Sequence, residues 1–317
     1  LKPRYSGPPG LPQTGVMTRR DIYEGKGYLP LSLMQYSRGC RFVCEFCSVT
    51  EYFGRKHFIR RIDETLQEIE AQDRKLIFFV DDNIASDRKA LKELCHALIG
   101  MNINWVSQAS LDVTTDLELM ELMARSGCLG HIMGFESITR ESVREARKAP
   151  NLGKFDGYAT QIKVLRDHGF QTWAAFTLGY DHDTADSVRA TLDFALENRF
   201  TFAAFNILMP YPGTPFYDRL AAEGRLLFAG EWWLHPEYRV NNAAFVPAQM
   251  TPDELTEICF DARREFNKVS SLLWRFSDLK TNLRTLRRAR AFWQFTPVFR
   301  REVFKKHGMQ FGHFGAR

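Results

Sequence analysis

The sequence predicts an α/β fold built on parallel strands. Two observations lead to this prediction: short apolar runs rich in β-forming residues recur along the chain, and amphipathic helical patterns separate them. Such a strand–helix repeat is typical of a parallel sheet with helices over its outer face. Periodicity alone leaves three architectures open: a six-stranded partial barrel, an eight-stranded barrel and a doubly wound sheet.

Each predicted element rests on one such run. The apolar runs predict strands, in chain order, at residues 31–36, 76–80, 104–107, 129–135, 172–178 and 202–209. The amphipathic patterns between them predict helices at residues 63–71, 87–99, 116–124, 158–168 and 183–198. Several of these patterns open on Asp, a favourable N-cap because its carboxylate accepts hydrogen bonds from free backbone N–H groups.

Composition shifts predict three segments. Residues 1–30 are rich in Pro and Gly, which indicates a linker or an extended lead-in. Residues 31–225 carry the strand–helix repeat, and residues 226–317 form a C-terminal extension that is mostly helical and basic. Because the chain begins at Leu1 inside the Pro-rich stretch, we expect a fragment or a trimmed product, with Met17 as an internal start being the alternative.

Composition is that of a globular enzyme. The chain has 317 residues, a formal net charge of +5 and six cysteines, too few for a disulfide framework in a chain of this length. No apolar run is long enough to cross a bilayer, and no signal pattern opens the chain, so we expect a cytoplasmic protein with reduced thiols. Cys95, Cys128 and Cys259 are scattered among apolar neighbours, which predicts buried structural thiols.

The positive charge is concentrated near the C-terminus. From Arg275 to Arg317 basic residues far outnumber acidic ones, with Phe292, Trp293 and Phe295 interleaved. Such a segment can meet an anionic membrane or nucleic acid. We favour solvated helices that pack their aromatic side chains inward, since Lys and Arg stems commonly cover apolar surface. Peripheral membrane contact stays open, and nucleic acid is not an expected partner.

The most specific motif is a cysteine loop. Cys40, Cys44 and Cys47 have C-x3-C-x2-C spacing. Three thiolates can hold three irons of a 4Fe-4S cluster, whereas a cluster used only for electron storage normally takes four cysteines. One iron is then open to a small molecule, which indicates an enzyme. The alternative is a structural zinc site, but the sequence offers no second ligand pair of the usual kind.

Polar side chains follow the predicted strands at their carboxyl ends, where parallel barrels place function. The second strand leads into Asp81-Asp82-Asn83, the third into Gln108-Ala109-Ser110, and the fourth into Gly134-Phe135-Glu136-Ser137. A turn with an Asx cap is the alternative for the first of these segments. Glu136 lies beyond an apolar run and needs partners; a ligand supplies them, or a basic neighbour such as Arg166 does.

The cysteine spacing, with Phe46 before the last cysteine, resembles the signature of the radical S-adenosylmethionine (SAM) superfamily. The Asp81–Asn83 segment, Gly-Phe-Glu-Ser at 134–137 and Pro-Tyr-Pro-Gly-Thr-Pro at 210–215 resemble motifs of its cobalamin-binding members. That group includes carbon methyltransferases such as the hopanoid methylases and the anaerobic cyclase of bacteriochlorophyll synthesis. The resemblance covers residues from about 19 to 266 and implies a partial (β/α)6 barrel, resembling a TIM barrel, at residues 31–225.

The resemblance also implies the cofactors and their contacts. In that family SAM chelates the open iron, and an electron from the cluster breaks a carbon–sulfur bond to give a 5′-deoxyadenosyl radical. Cys40, Cys44 and Cys47 are then the metal ligands, and no other catalytic residue is assigned. The implied SAM contacts are Asp81, Asp82 and Asn83 at its amino group, Glu136 at the ribose, Gly179 and Met209 at the adenine, with Gln108 and Ser110 in the same site.

The resemblance implies radical functionalisation of an unactivated carbon in a small-molecule substrate, by cobalamin-dependent C-methylation. An electron donor such as flavodoxin or ferredoxin is expected. This chain carries no cobalamin domain and no Asp-x-His-x-x-Gly string, so a preceding domain or a separate protein has to supply cobalamin. The alternatives are cobalamin-independent rearrangement or cyclisation, RNA modification, and a non-catalytic electron carrier. Trp232, Trp233, His235 and Tyr238 either cover the substrate or pack the C-terminal helices.

Overall fold

The computed structural model describes residue 10 and residues 18–72, 74–153, 155 and 158–310. By its internal contacts the chain divides into two compact units. The first comprises residues 1–41 and 49–129, and the second comprises residues 42–48 and 130–317. Cys40 therefore belongs to the first unit, whereas Cys44 and Cys47 belong to the second.

The first unit is built on three parallel strands and one short antiparallel pair. Its strands are β1 (Ser32–Met34), β2 (Ser37–Arg38), β3 (Phe58–Ile59), β4 (Leu76–Phe79) and β5 (Asn104–Ala109). Its helices are α1 (Ser48–Phe53), α2 (Ile62–Glu70), α3 (Arg88–Leu98) and α4 (Leu117–Arg125), with 3-10 turns at Asp21–Tyr23, Ile84–Ser86 and Leu111–Thr115. β4 lies between β1 and β5, and both pairings are parallel. The short strands β2 and β3 pair in antiparallel fashion.

The sequence patterns account for the elements of this unit. Along β4, Ile77 and Phe79 are fully buried while Leu76 and Phe78 are partly exposed, the period of two expected of a strand. Asp87 and Asp116 accept hydrogen bonds from backbone N–H groups in the first turns of α3 and α4. The predicted Asp caps are confirmed at these two helices.

The second unit carries three further parallel strands and the remaining helices. Its strands are β6 (Cys128–Glu136), β7 (Trp173–Leu178) and β8 (Phe202–Ile207), with β7 in the middle. Its helices are α5 (Arg140–Glu145), α6 (Ala149–Leu152), α7 (Ala159–Asp167), α8 (Ala185–Glu197), α9 (Pro215–Ala222), α10 (Pro252–Phe266), α11 (Val269–Phe276) and α12 (Leu286–Lys306), with 3-10 turns at Phe228–Gly230 and Trp232–Leu234.

A row of aromatic rings forms the core on one face of these strands. Phe135, Phe176 and Phe205 come from β6, β7 and β8, and all three are fully buried. The ring centroids of Phe135 and Phe176 lie 5.7 Å apart, and those of Phe176 and Phe205 lie 5.5 Å apart. Because side chains alternate along a strand, Trp173 and Thr177 point to the opposite face of β7. Polar groups can gather there without entering the core.

Each predicted strand is present, with bounds that differ by a few residues. The first is shorter than predicted, 32–34 instead of 31–36, and the last ends at Ile207. The predicted helices correspond to α2, α3, α4, α7 and α8, while α1, α5, α6 and α9 were not predicted. At α8 the N-cap is Thr184, not Asp183. Asp183 instead accepts hydrogen bonds from the backbone N–H groups of Gly179 and Tyr180.

The structure describes only part of the two ends of the chain. Of the predicted lead-in, residues 1–9 and 11–17 lie outside the described residues, and residues 18–30 hold a single 3-10 turn. The predicted domain boundaries stay a prediction. In α12, Phe292 is fully buried whereas Trp293 is 42% exposed, so the aromatic side chains do not all pack inward. Within the described residues, no helix is both long and apolar enough to span a membrane.

Candidate active site

In the first unit, the cysteine loop begins with a turn that requires glycine. Gly39 has a φ of +89°, in the range that favours glycine. A Cβ atom at this position would collide with the backbone carbonyl oxygen of Lys56. Any larger residue would therefore displace the backbone that leads directly into Cys40.

Two of the predicted acidic residues hold this turn through its backbone. Both carboxylate oxygens of Asp81 accept hydrogen bonds, from the N–H groups of Tyr36 and Ser37. Asp82 accepts a hydrogen bond from the N–H of Gly39 at 2.7 Å. Burial raises the pKa of Asp81 to about 6, because desolvation outweighs the effect of its two backbone donors. Asp81 and Asp82 thus position the backbone that precedes Cys40.

Asn83 lies against the first cysteine. Its amide nitrogen is 3.6 Å from Cys40 Sγ and 3.1 Å from Ser110 Oγ. Its amide oxygen caps the 3-10 turn that follows, accepting a hydrogen bond from the N–H of Ala85. Gln108 donates to the carbonyl oxygen of Asp81 at 3.2 Å. The structure thus brings these predicted residues together around Cys40. The predicted Asx cap is present, and SAM contact by these residues stays a prediction.

In the second unit, Glu136 sits at a strained bulge at the end of β6. Its φ is +64°, which is rare for a residue with a Cβ, and the register between β6 and β7 shifts at this point. Strain of this kind persists only where surrounding contacts hold it, and it concentrates at functional sites. The bulge directs the Glu136 carboxylate to the face of the sheet that also carries Thr177.

The partners of Glu136 are Lys148 and Thr177. Lys148 Nζ lies 2.8 Å from one carboxylate oxygen, and the Thr177 hydroxyl donates to the other at 2.7 Å. The alternative that Arg166 pairs with Glu136 is wrong, because Arg166 pairs with Asp278 at 2.6 Å. Nothing in the sequence singled out Lys148, since its approach to Glu136 depends on the path of the chain through α5 to the start of α6.

The glycine two residues before Glu136 makes room for this ion pair. A Cβ atom at Gly134 would collide with the Glu136 carboxylate and would lie 2.8 Å from Lys148 Nζ. Burial alone would lower the pKa of Lys148, but the neighbouring Glu136 carboxylate and the thiolates of Cys44 and Cys47 raise it. Lys148 therefore links the Glu136 carboxylate electrostatically to Cys44 and Cys47.

Tyr180 also lies beside the cysteine loop. Its ring meets the ring of Phe46 edge to face, with centroids 6.5 Å apart. Its hydroxyl is buried without a hydrogen-bond partner among the residues that the structure describes. Burial raises the pKa of Tyr180, and Glu136, Asp183 and Cys44 raise it further, so the hydroxyl stays protonated. A protonated donor near Cys44 was not predicted, because a Tyr after a strand is not distinctive in sequence.

Glu45, between the second and third cysteines, anchors the loop to two other segments. Its backbone N–H donates to the carbonyl oxygen of Ala146 at 3.1 Å, and its carbonyl oxygen accepts from the N–H of Phe216 at 3.2 Å. Arg219 Nε donates to its carboxylate at 2.8 Å. Arg219 also pairs with Glu145 at 2.9 Å and Asp181 at 2.7 Å. The loop that carries Cys44 and Cys47 is therefore fixed by charge as well as by backbone hydrogen bonds.

The two residues expected at adenine have other contacts in this structure. Gly179 has a φ of +109°, and the space for a Cβ is filled by Leu255 and Phe245. Packing and backbone conformation thus account for this glycine. Met209 packs against the buried cluster of Trp232, Tyr238 and Ala244. Adenine contact by Gly179 and Met209 stays a prediction.

The chemistry of the donor set fits an iron–sulfur cluster. All six cysteines are free, and two of the three in the loop, Cys44 and Cys47, lie near a cation, Lys148, whose charged form they favour. Among the described residues, no three His, Cys, Asp or Glu side chains stand close enough to hold a metal ion without rearrangement. Ligation by Cys40, Cys44 and Cys47 therefore stays a prediction, which rests on three thiols that no disulfide uses.

Comparison with known proteins gives a family match. The model of the radical SAM superfamily matches residues 34–195, about half of the chain. The chain is 28% identical to bacteriochlorophyllide d C-12(1)-methyltransferase of Chlorobaculum tepidum over 263 residues, covering 81% of this chain and 56% of that protein. It is 26% identical to hopanoid C-2 methylase of Rhodopseudomonas palustris over 266 residues, covering 81% of this chain and 48% of that protein. The chain thus spans about half the length of these curated relatives.

A solved structure shows the same fold. The cobalamin-dependent SAM radical enzyme OxsB, with aqua-cobalamin and SAM bound, superposes with a TM-score of 0.57 at 12% identity, covering 86% of this chain and 46% of that one. This similarity confirms the predicted fold class, an α/β fold with the parallel strands of a partial barrel. The predicted resemblance to cobalamin-type members of the family is also confirmed.

Proposed function

Because this chain belongs to the radical SAM superfamily, we propose that it cleaves SAM reductively at a 4Fe-4S cluster and methylates an unactivated carbon with cobalamin as methyl carrier. The relatives named above support the methyl-transfer part, since both are methylating enzymes by name. The family uses a 4Fe-4S cluster and SAM, and the OxsB structure also holds cobalamin. The substrate is a small molecule whose identity the sequence similarity does not define.

One observation carries the proposal: a buried carboxylate and a buried cation, Glu136 and Lys148, lie beside two of the cysteines. Side chains of both residues are at most 15% exposed. Buried charges need partners, and this pair gives a polar ligand both a hydrogen-bond acceptor and a positive charge. SAM carries hydroxyl and amino groups that can donate to the Glu136 carboxylate, and a carboxylate that can pair with the Lys148 ammonium group.

The residues of the chain would hold and shield the cofactors. Cys40, Cys44 and Cys47 would hold the cluster, which when bound supplies the electron that breaks a carbon–sulfur bond of SAM. Asn83 and Asp82 hold the turn at Cys40, and Arg219 holds the loop at Glu45. The task of these residues is to fix the reacting groups and exclude water, because positioning is the protein's main contribution to such chemistry.

In this proposal, cobalamin is supplied from outside residues 1–317. We propose that a domain preceding Leu1 or a separate protein presents it at the carboxyl ends of the strands. An electron donor such as flavodoxin or ferredoxin would reduce the cluster. The length relationship supports this arrangement, because the curated relatives are about twice as long as the part that matches this chain.

The first experiment tests the class of reaction. The chain is reconstituted anaerobically with iron and sulfide, given SAM and dithionite, and assayed for 5′-deoxyadenosine. We expect SAM-dependent release, and none from a Cys44→Ala variant, while Cys95→Ala serves as a matched control because Cys95 is fully buried elsewhere. Redox cycling without SAM cleavage would contradict the proposal and favour an electron carrier.

The second experiment tests cobalamin dependence. The longest native form is assayed with and without methylcobalamin for transfer of a labelled methyl group to carbon. We expect labelled product only with methylcobalamin. Equal substrate turnover in rigorously cobalamin-free preparations would overturn the cobalamin part and leave a cobalamin-independent radical enzyme.

A further inference from the structure

A cavity in the second unit lies away from the cysteine loop. Its volume is about 200 Å³, and residues of β7, β8, α10 and α12 line it. A cavity that holds a single water molecule needs a volume of only about 10–15 Å³, so this cavity has room for an organic molecule. Its aromatic wall consists of Trp173, Phe202 and Phe299. The ring centroid of Phe299 lies 4.4 Å from that of Trp173 and 4.9 Å from that of Phe202.

A buried arginine borders this cavity without a carboxylate partner. Arg263 is only 7% exposed, and its Nε donates to the carbonyl oxygen of Phe205 at 2.6 Å. Neither terminal nitrogen has a hydrogen bond or an ion pair in the part of the chain that the structure describes, and neither is sealed from open space. Water can reach these two donors, but an anion would pair with them more strongly, because a charge-assisted hydrogen bond is stronger than a neutral one.

The other charges around the cavity do not compensate Arg263. Lys306 and Glu302 lie 3.4 Å apart at the rim and pair with each other. Arg275 also lines the cavity, but backbone carbonyl oxygens of Phe200, Thr201 and Phe266 accept its terminal N–H groups. The lining therefore has an excess of positive charge, and of its two arginines Arg263 is the one with neither terminal nitrogen engaged by a described residue.

We propose that this cavity binds an organic carboxylate with a flat apolar body, the carboxylate pairing with the two terminal nitrogens of Arg263. A planar carboxylate matches the paired donors of a guanidinium in bidentate fashion, and the aromatic wall suits an apolar body.

The position of the cavity suggests two sources for this carboxylate. Trp173 and Thr177 are four residues apart on the same face of β7, roughly 13 Å at the rise of a strand. Thr177 in turn donates to Glu136. The carboxylate therefore belongs either to the far end of the substrate, an assignment that rests on the proposed function, or to a separate small ligand.

The test uses 1-naphthoate as the probe and neutral 1-naphthamide as its matched control, with calorimetry on the full, cluster-reconstituted chain. We expect the carboxylate to bind at least about tenfold more tightly than the amide, since a charge-assisted hydrogen-bond pair separates them. Equal affinities of the two probes, or no binding of naphthoate at millimolar concentration, would overturn the proposal.

Two variants locate the site. Arg263→Gln should weaken naphthoate binding about tenfold or more. Arg264→Gln is the matched control, because Arg264 is the next residue on α10 with a 51% exposed side chain, and it should leave binding unchanged. If Arg263→Gln does not fold, Ala204→Leu fills the cavity while leaving Arg263 in place, and it should also abolish binding. Wild-type affinity in a folded Ala204→Leu protein would refute the assignment.

The two sources are distinguished by SAM cleavage. If the carboxylate is part of the substrate, bound naphthoate changes the rate of 5′-deoxyadenosine release, and Arg263→Gln abolishes that change. If it belongs to a separate ligand, naphthoate binds with no effect on release. Both results support the carboxylate site. Should SAM not be cleaved at all, the proposed function fails while the binding measurement still tests the cavity.

Discussion

Lys148 Nζ lies 2.8 Å from a carboxylate oxygen of Glu136, and only a glycine at position 134 leaves room for the contact. The pair stands at the end of β6, with Glu136 held at a positive φ. Breaking a buried ion pair costs stability, so a pair kept at a strained position is expected to serve the ligand site. Four of the five predictions that follow concern this pair or the cysteine loop beside it.

Glu136→Gln should weaken SAM binding by about 1 kcal/mol, roughly fivefold in Kd, because it removes the charged acceptor for ligand hydroxyls. Equilibrium dialysis with labelled SAM on the reconstituted protein measures this. Glu141→Gln is the control, since Glu141 is exposed on α5. Unchanged SAM affinity in a folded Glu136→Gln protein would count decisively against the ribose assignment.

Gly134→Ala should also weaken SAM binding, although alanine carries no functional group. The added methyl would occupy the space of the Glu136 carboxylate and crowd Lys148, so both side chains would have to move. The comparison variant is Gly153→Ala, at a glycine where a Cβ meets nothing within 4 Å. SAM affinity equal to that of the wild type would show that the carboxylate position is irrelevant to binding.

Replacement of Cys40, Cys44 or Cys47 by Ala should abolish formation of the 4Fe-4S cluster, because three thiolates are the minimum that leaves one iron open. Iron and sulfide content and the visible absorption measure the cluster. The buried Cys128 and Cys259 provide control substitutions to Ala or Ser. A triple variant with near wild-type cluster absorption would refute the ligand assignment.

Arg219→Gln should lower the free energy of unfolding by about 1–3 kcal/mol and speed cluster loss to a chelator. The change removes ion pairs to Glu45, Glu145 and Asp181 at a partly buried guanidinium. Arg189→Gln, which removes an exposed pair with Asp186, should change neither quantity. If both variants lost their clusters at the wild-type rate, the loop would not depend on this anchor.

His131 should make the protein less stable in acid. Burial lowers the pKa of His131 from 6.5 to about 4, so the folded state keeps it neutral while the unfolded chain takes up a proton below pH 6.5. Stability is then lost as the pH falls from about 6.5 to 4, by at most ~1.4 kcal/mol per pH unit. Urea unfolding at several pH values gives the free energy of unfolding as a function of pH. This free energy should fall less steeply with decreasing pH in His131→Gln than in the wild type. In His96→Gln, at an exposed histidine, it should fall as in the wild type.

Local sequence determined the six parallel strands, five of the helices and the cysteine motif. The period of two along residues 76–79 and the Asp caps at Asp87 and Asp116 depend on neighbours within a few residues, so they could be predicted without the fold. The spacing of the three cysteines is also local.

Tertiary structure alone decided which side chains meet. Lys148, not Arg166, pairs with Glu136, because a bulge at the end of β6 turns the carboxylate toward the loop before α6. Arg219 reaches Glu45 across 174 positions of sequence, a contact that no periodicity encodes. Ion pairs form between whichever charged groups the packing brings within a few ångströms, and that proximity depends on the whole chain. The sequence therefore determined the elements and the chemistry of the donors, and the fold determined their partners.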